Sequence, residues 1–332
     1  MKIFSGKPLS QLLQGSSPKP LQPAPLETGV TAPEALPEAD VIVAAEAAAE
    51  DAPARKRSAR RTAVVAVPAP EPAPDAVRLI PIPRMAAGGR WRVEAMRSLS
   101  EPLLLWFTRG QGRITVGGVT RGYGAHNAVF IPAGVMHGFE VGPQTFGTAL
   151  YFGRDSTVTL PKMPQHLRIR EVAPQAELTM ILDAIQREIE SDRPAHDRAA
   201  RHYLGLLGVW VERQAAIAET DSPRPDAARR LASRYAELLE RDFRSGQGVN
   251  HYARALDVTP THLTRVCNQT CGRSASDLLH DRVIFEARKL LTETKLPVAA
   301  IADTLGFTSA AYFTRAFQTR TGKTPSAFRR QG

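Results

Sequence analysis

The sequence predicts a multidomain α+β chain: a small all-β unit, then helices, then an all-α domain with two helix-turn-helix units. Three observations predict it. Short apolar runs broken by Gly and Pro fill the stretch from Val77 to about Arg154. A helical period replaces them after Lys162. Beyond residue 249 a short helix, a tight turn and a capped helix can be read twice, about fifty residues apart. The length of 332 residues accommodates two ordinary domains, and 43% hydrophobic with 23% charged residues is a globular composition.

Residues 1–76 stand apart. They hold 12 of the 26 prolines, an acidic patch (Glu46, Glu50, Asp51) and a basic cluster from Arg55 to Arg61. No hydrophobic period persists there, so this head is expected to be disordered. Strands are predicted over residues 77–160 at Trp91–Met96, Leu103–Thr108, Arg113–Val116, Ala128–Ile131, Gly138–Val141 and Thr145–Phe152. Turn signals such as Gly110-Gln-Gly112 and Gly117-Gly118 separate them, which argues for a small barrel or sandwich. Over 161–220, Glu177–Ile189 places Leu178, Ile181, Leu182 and Ile185 on one helical stripe. Ala199–Ala218 does the same with Leu204, Leu207, Val211 and Ile217. Pro223 and Pro225 then break the helix and open a last domain, 221–332.

In the first repeated unit Asn250 is the expected N-cap, and Tyr252, Ala253 and Leu256 form an apolar face. After the Asp257-Val258 turn, Thr259 caps a second helix with Pro260 at its first position, where no N–H is needed. Leu263, Val266 and Cys267 share the inner face of that helix, leaving Thr261, His262, Thr264 and Arg265 to face outward. In the second unit Val298, Ile301, Ala302 and Leu305 make the first helix and Gly306 allows the turn. Ser309 caps the next helix, with Phe313, Ala316 and Phe317 inward and Ala311, Tyr312 and Arg315 outward. Arg265 and Arg315 hold equivalent places, and Arg can pair bidentately with a guanine edge. A long amphipathic helix, Ser276–Leu291, joins the units. From Asp226 onward there are 17 Lys+Arg against 10 Asp+Glu, a net of +7 of the chain's +10. That excess suits a polyanion, although charge by itself fits a well-solvated surface equally.

Residues 249–330 resemble the DNA-binding domain of AraC-type regulators. The resemblance is carried by Val258-Thr-Pro-Thr-His-Leu-Thr-Arg265, Ala302-Asp-Thr-Leu-Gly-Phe307, Tyr312-Phe-Thr-Arg-Ala-Phe317 and Gly322-Lys-Thr-Pro-Ser-Ala-Phe-Arg329. It implies a homodimeric transcription factor on double-stranded DNA, with RNA polymerase as a partner if it activates. Thr261, His262, Thr264 and Arg265 would lie in one major groove, and Ser309, Ala310, Ala311, Tyr312 and Arg315 in the next, with Lys323 on phosphate. The two alanines depart from polar residues found there in some members, which points to thymine methyls or phosphate grip for the second helix.

Phe130-Ile-Pro-Ala-Gly-Val-Met-His137-Gly-Phe139 resembles the second conserved stretch of cupin barrels, which implies a cupin-like β-barrel at 77–160 with a small-molecule effector inside. Trp106, Phe107, Arg113, His137, Phe139 and Tyr151 are candidates to line that pocket, with core packing the competing role. The stretch Trp106–Arg113 lacks the His and Glu that cupin enzymes use, and one imidazole cannot hold a three-ligand metal. No cofactor, metal or catalytic residue is therefore expected. A cupin-fold isomerase or dioxygenase with a DNA-binding tail, and a ligand-independent DNA-binding protein, are the alternatives. Leu204, Leu207 and Val211 are the expected subunit contact. Two cysteines, Cys267 and Cys271, and no run approaching the roughly 20 apolar residues of a membrane span lead to an expectation of a cytoplasmic, reducing location.

Overall fold

A computed structural model describes residues 77–331 except 88, 155 and 222–225, so the predicted disorder of 1–76 lies outside the described residues. The β domain runs β1 (Arg78–Pro81), α1 (Ile82–Met85), α2 (Trp91–Glu94), β2 (Leu103–Arg109), β3 (Gly112–Val116), β4 (Val119–Tyr123), β5 (Asn127–Ile131), β6 (His137–Phe139), β7 (Phe146–Tyr151) and β8 (Gln165–Arg168). Two sheets result: five strands in the order β1-β7-β2-β5-β8, and three in the order β4-β3-β6. The strands pair antiparallel throughout. No described ladder closes the two sheets into one ring, so the expected barrel is an open two-sheet sandwich.

The large sheet is buried on both faces, which explains the unbroken apolar run Leu103-Leu-Leu-Trp-Phe107. Leu103, Leu105 and Phe107 pack inward with Val129, Ile131 and Tyr151 and with Ile114 and Phe139 of the small sheet. Leu104, Trp106, Phe130 and Leu150 face the other way. Helices α3 (Val172–Ile189) and α4 (His196–Asp221) cover that outer face. Leu204, Leu207, Trp210 and Val211 are buried in this layer. The stripe expected at a subunit contact is thus occupied within the chain, because the exposed sheet face needed covering. The expected strand Trp91–Met96 is also different. Its first four residues form one helical turn, held by the Arg90–Glu94 pair at 2.7 Å, and only Val93 of the four is buried.

The C-terminal domain is all helix: α5 (Ala227–Asp242), a 3₁₀ turn (Phe243–Ser245), α6 (Val249–Ala255), α7 (Pro260–Cys271), α8 (Ala275–Glu293), α9 (Val298–Thr304), α10 (Ala310–Thr321) and α11 (Pro325–Arg329). One core joins α5 to α11, and it takes in Met96 and Met136 from the β domain. The small sheet's outer face is therefore docked on the helical domain. Among the described residues no helix is long and apolar enough to cross a membrane.

Candidate nucleic-acid interface

Helices α7 and α10 start alike. Thr259 Oγ1 accepts from the His262 N–H at 3.1 Å, and Ser309 Oγ accepts from the Tyr312 N–H at 3.2 Å. Each cap satisfies one of the orphan donors of a helix start. The turns before them also match: the Val258 N–H reaches the Ala253 carbonyl and the Phe307 N–H the Ala302 carbonyl, both at 3.0 Å. Asp257 (φ 58°) and Gly306 (φ 76°) take the left-handed position. Both helices end on a left-handed glycine, Gly272 and Gly322, and Ser274 and Thr324 cap the next helix. The duplication thus extends through the far end of each unit, with an offset of 49 residues up to the turn and of 50 from the cap onward.

Counting from each cap, Leu263 and Phe313 fall inward at the same place, as do Cys267 and Phe317, and all four are fully buried. The outward places hold Thr261 and Ala311, His262 and Tyr312, Thr264 and Thr314, and Arg265 and Arg315. Thr261, Arg265, Ala311, Arg315, Ser309 and Lys323 are exposed, whereas His262, Thr264, Ala310 and Tyr312 are half-buried. Among the described residues neither Arg265 nor Arg315 is in an ion pair, and Arg265 donates to His262 Nδ1 at 2.9 Å. Lys323 Nζ donates to Gln331 Oε1 at 2.5 Å. Two guanidinium groups thus stand on two like helices with no carboxylate to neutralise them. Such an arrangement can accept hydrogen-bond acceptors or phosphates of a duplex.

The 19-residue α8 fixes the spacing of the units, at about 28 Å of helix by the usual 1.5 Å rise. Its buried Arg282 is held by Glu240 at 2.7 and 2.9 Å and by Glu286 at 2.9 Å, and Arg244 adds a second contact to Glu286 at 2.6 Å. Burial works against the charge on Arg282, but Glu240 and Glu286 outweigh it and hold the guanidinium above its ordinary range. Burial likewise opposes ionisation of Glu286, and Arg282 and Arg244 outweigh it. This network ties α5, the 3₁₀ turn and α8 together. The sequence does not announce it, since Glu240 and Arg282 lie 42 residues apart; the Arg282–Glu286 pair, four residues apart on one helix, is its one local signal.

The six candidate pocket residues do not line one space. Phe107, Phe139 and Tyr151 lie between the sheets, Trp106 lies under α3 and α4, and Arg113 is exposed on Glu140 at 2.7 Å. The alternation of β2 forces Trp106 and Phe107 to opposite faces. His137 is buried, with Nδ1 at 2.9 Å from the Val135 carbonyl.

Sequence comparison with known proteins falls on the same helices. A family profile described as a helix-turn-helix domain matches residues 252–331. The arabinose operon regulatory protein of Escherichia coli is 31% identical over 126 residues, which is 37% of this chain and 42% of that protein. The transcriptional regulator GlxA of Rhizobium meliloti is 32% identical over 142 residues, 41% of this chain and 44% of that one. Among solved structures, the C-terminal domain of AraT, a response regulator from Geobacillus stearothermophilus, is 28% identical with a TM-score of 0.30, and covers 33% of this chain and 89% of that one. The chain therefore matches less than half the length of these curated relatives.

Proposed function

We infer from the AraC-type helix-turn-helix domain of residues 252–331 that this protein is a sequence-specific DNA-binding transcriptional regulator. Helices α7 and α10 are the recognition elements and enter successive major-groove faces of double-stranded DNA. The observation that carries this reading is the duplicated, capped helix with Arg265 and Arg315 outward at the same place in each copy, neither in an ion pair among the described residues. Thr261, His262 and Arg265 read base edges in the first groove. Ala311 meets thymine methyls in the second, while Arg315 contacts a guanine edge or phosphate and Lys323 grips phosphate.

The β domain is the regulatory half and responds to a small molecule held between its sheets. The active species is a homodimer. Since Leu204, Leu207 and Val211 are buried within one chain, the contact falls on the opposite stripe of α4, where Leu206 and Val209 are exposed together with Ile217, which the sequence pattern groups with Leu204.

The test pairs genome-wide recovery of bound DNA with two variants. The intact protein should return an asymmetric motif that spans two groove faces. Arg265→Ala should relax preference at one position, at a cost of about 1–3 kcal/mol against the preferred base. Lys323→Ala should weaken all sites alike and reduce the salt slope by about 1. Identical behaviour of the two variants would overturn the groove assignment. Salt-sensitive binding with no motif would reduce the domain to a non-specific basic surface.

A further inference from the structure

Residues Met96, Arg97 and Ser98 continue the small sheet by one bridge. Arg97 pairs with His137, N–H to carbonyl, at 2.9 and 2.7 Å. Alternation then sends neighbouring side chains to opposite sides. Arg97 and His137 point between the sheets, on the face that His137 shares with Phe139, and the Arg97 guanidinium stands 5.6 Å from the Phe139 ring centre. Met96 and Met136 point out into the core of the helical domain, and Ser98 Oγ donates to Glu240 Oε1.

The inner pair is chemically incomplete. Arg97 is 3% exposed, yet among the described residues it has no carboxylate partner; its side chain has one acceptor, the Val93 carbonyl at 2.6 Å. The nearby acid, Glu101, is already engaged by Arg78 at 2.5 and 3.1 Å and by the Gly153 N–H at 3.1 Å. Burial moves Arg97 down to about 10, which leaves it charged at neutral pH. His137 is 1% exposed and its Nε2 is buried without a hydrogen bond. A carbonyl only accepts, so Nδ1 must carry the proton toward Val135. Burial, with Arg97 second, brings His137 to about 3, so the ring is neutral and Nε2 is a bare acceptor. Tyr151, across the sandwich and within electrostatic reach of Arg97, completes the set. A buried cation without a counter-charge and a buried acceptor without a donor are both costly to leave unmatched.

We propose that Arg97, His137 and Tyr151 form the effector site, and that it takes a small carboxylate bearing a hydroxyl group. The carboxylate meets the Arg97 guanidinium and Tyr151, and the hydroxyl donates to His137 Nε2. Because Met96, Ser98 and Met136 flank the two ligand-facing residues, a shift of either strand on binding reaches Glu240. Glu240 is the partner of Arg282, which packs α5 on the connecting helix α8. This inference names the effector of the regulatory half proposed above. Its coupling to DNA rests on that reading, and the binding itself does not.

The experiment is thermal unfolding of the full chain with lactate, malate or 3-hydroxybutyrate, and with their methyl esters and inorganic phosphate as controls. At least one hydroxy acid should raise Tm by roughly 5–10 °C at about 100 times its Kd, and the esters and phosphate should not. Arg97→Met should unfold no lower than the parent without ligand, because it removes an unmatched buried charge, and it should lose the acid-dependent rise. His137→Phe, which keeps a ring and removes the acceptor, should weaken the hydroxy acid at least tenfold and leave propionate unaffected. Four results would overturn the site: no rise with any acid, an equal rise with phosphate, a rise retained in Arg97→Met, or an Arg97→Met chain that unfolds well below the parent. Operator affinity with and without the acid is read separately. Acid binding without any DNA binding would sink the regulator and leave the site standing.

Discussion

Gly306 sits where the turn between α9 and α10 needs φ 76°, and where a Cβ would lie 2.4 Å from the Gly246 nitrogen and 2.6 Å from the Arg244 carbonyl oxygen. Gly272 has a similar φ of 70° with nothing within 4 Å. The two positions separate backbone strain from close approach. Gly272→Ala should cost about 1–2 kcal/mol, the penalty of a left-handed L-residue, and Gly306→Ala about 2–4 kcal/mol because backbone must also move. Equal losses in urea unfolding would mean that the 3₁₀ turn gives way freely. Three histidines, one buried and two half-buried, make a second prediction. Burial is the largest cause that lowers His137 to about 3 and His166 and His280 to about 4. Unfolded histidine titrates near 6.5, so from there down to the folded values the unfolded chain binds more protons and stability falls with pH. Each histidine contributes a slope approaching about 1.4 kcal/mol per pH unit. Urea unfolding between pH 7 and 5 should show the decline, and His137→Gln should make it shallower by one proton's worth. A flat profile would contradict the lowering of all three.

Helix α4 presents two apolar stripes of opposite fate. Leu204 and Leu207 are buried under the large sheet, whereas Leu206 is 55% and Val209 41% exposed. Leu206→Asp with Val209→Asp should give a folded monomer by light scattering whose midpoint no longer depends on protein concentration, whereas Leu204→Asp should unfold the β domain. A retained dimer mass would place the contact elsewhere. Which stripe is which could not be read from the helix alone, since periodicity marks an apolar face and not its partner. The caps of α7 and α10 were legible, because Thr259 and Ser309 act on their own neighbours and the signal is local, whereas Asn250, expected as a cap, lies inside α6 behind Gly248. The strands divide in the same sense. Central β2, β5 and β7 were found, while β1, β4 and β8 were not, and all three of these are sheet edges. Edge strands such as Val119-Thr-Arg-Gly-Tyr123 pair on one side and carry a weak apolar pattern.

At the scale of the whole molecule, the sequence divides cleanly into a β half and a helical half, and the contact between them is what it conceals. Trp91 was expected in a strand; its ring instead stands 5.8 Å from Phe285 of α8 and 6.0 Å from Phe328 of α11, with the Arg288 guanidinium 5.3 Å from its centre. The β3–β4 turn is equally close, since a Cβ on Gly118 would meet the Ala232 carbonyl oxygen of α5 at 2.7 Å. Met96 and Met136 finish the helical core. These contacts join residues up to about 240 positions apart, so no local pattern announces them. A shared core also has a thermodynamic consequence. Two domains in slight contact melt separately, but domains that complete one another's core lose stability together. The full chain should therefore show one calorimetric transition, with a calorimetric enthalpy equal to the van't Hoff value. Trp91→Ala combined with Met136→Ala removes the anchor and one core side chain without touching the interior of the sandwich. That variant should melt in two steps, with the helical domain first, because it loses cover over α8 and α11 while the large sheet keeps α3 and α4. Two steps in the parent chain would mean that the halves are independent, and that a signal arising between the sheets has no packed route to the recognition helices.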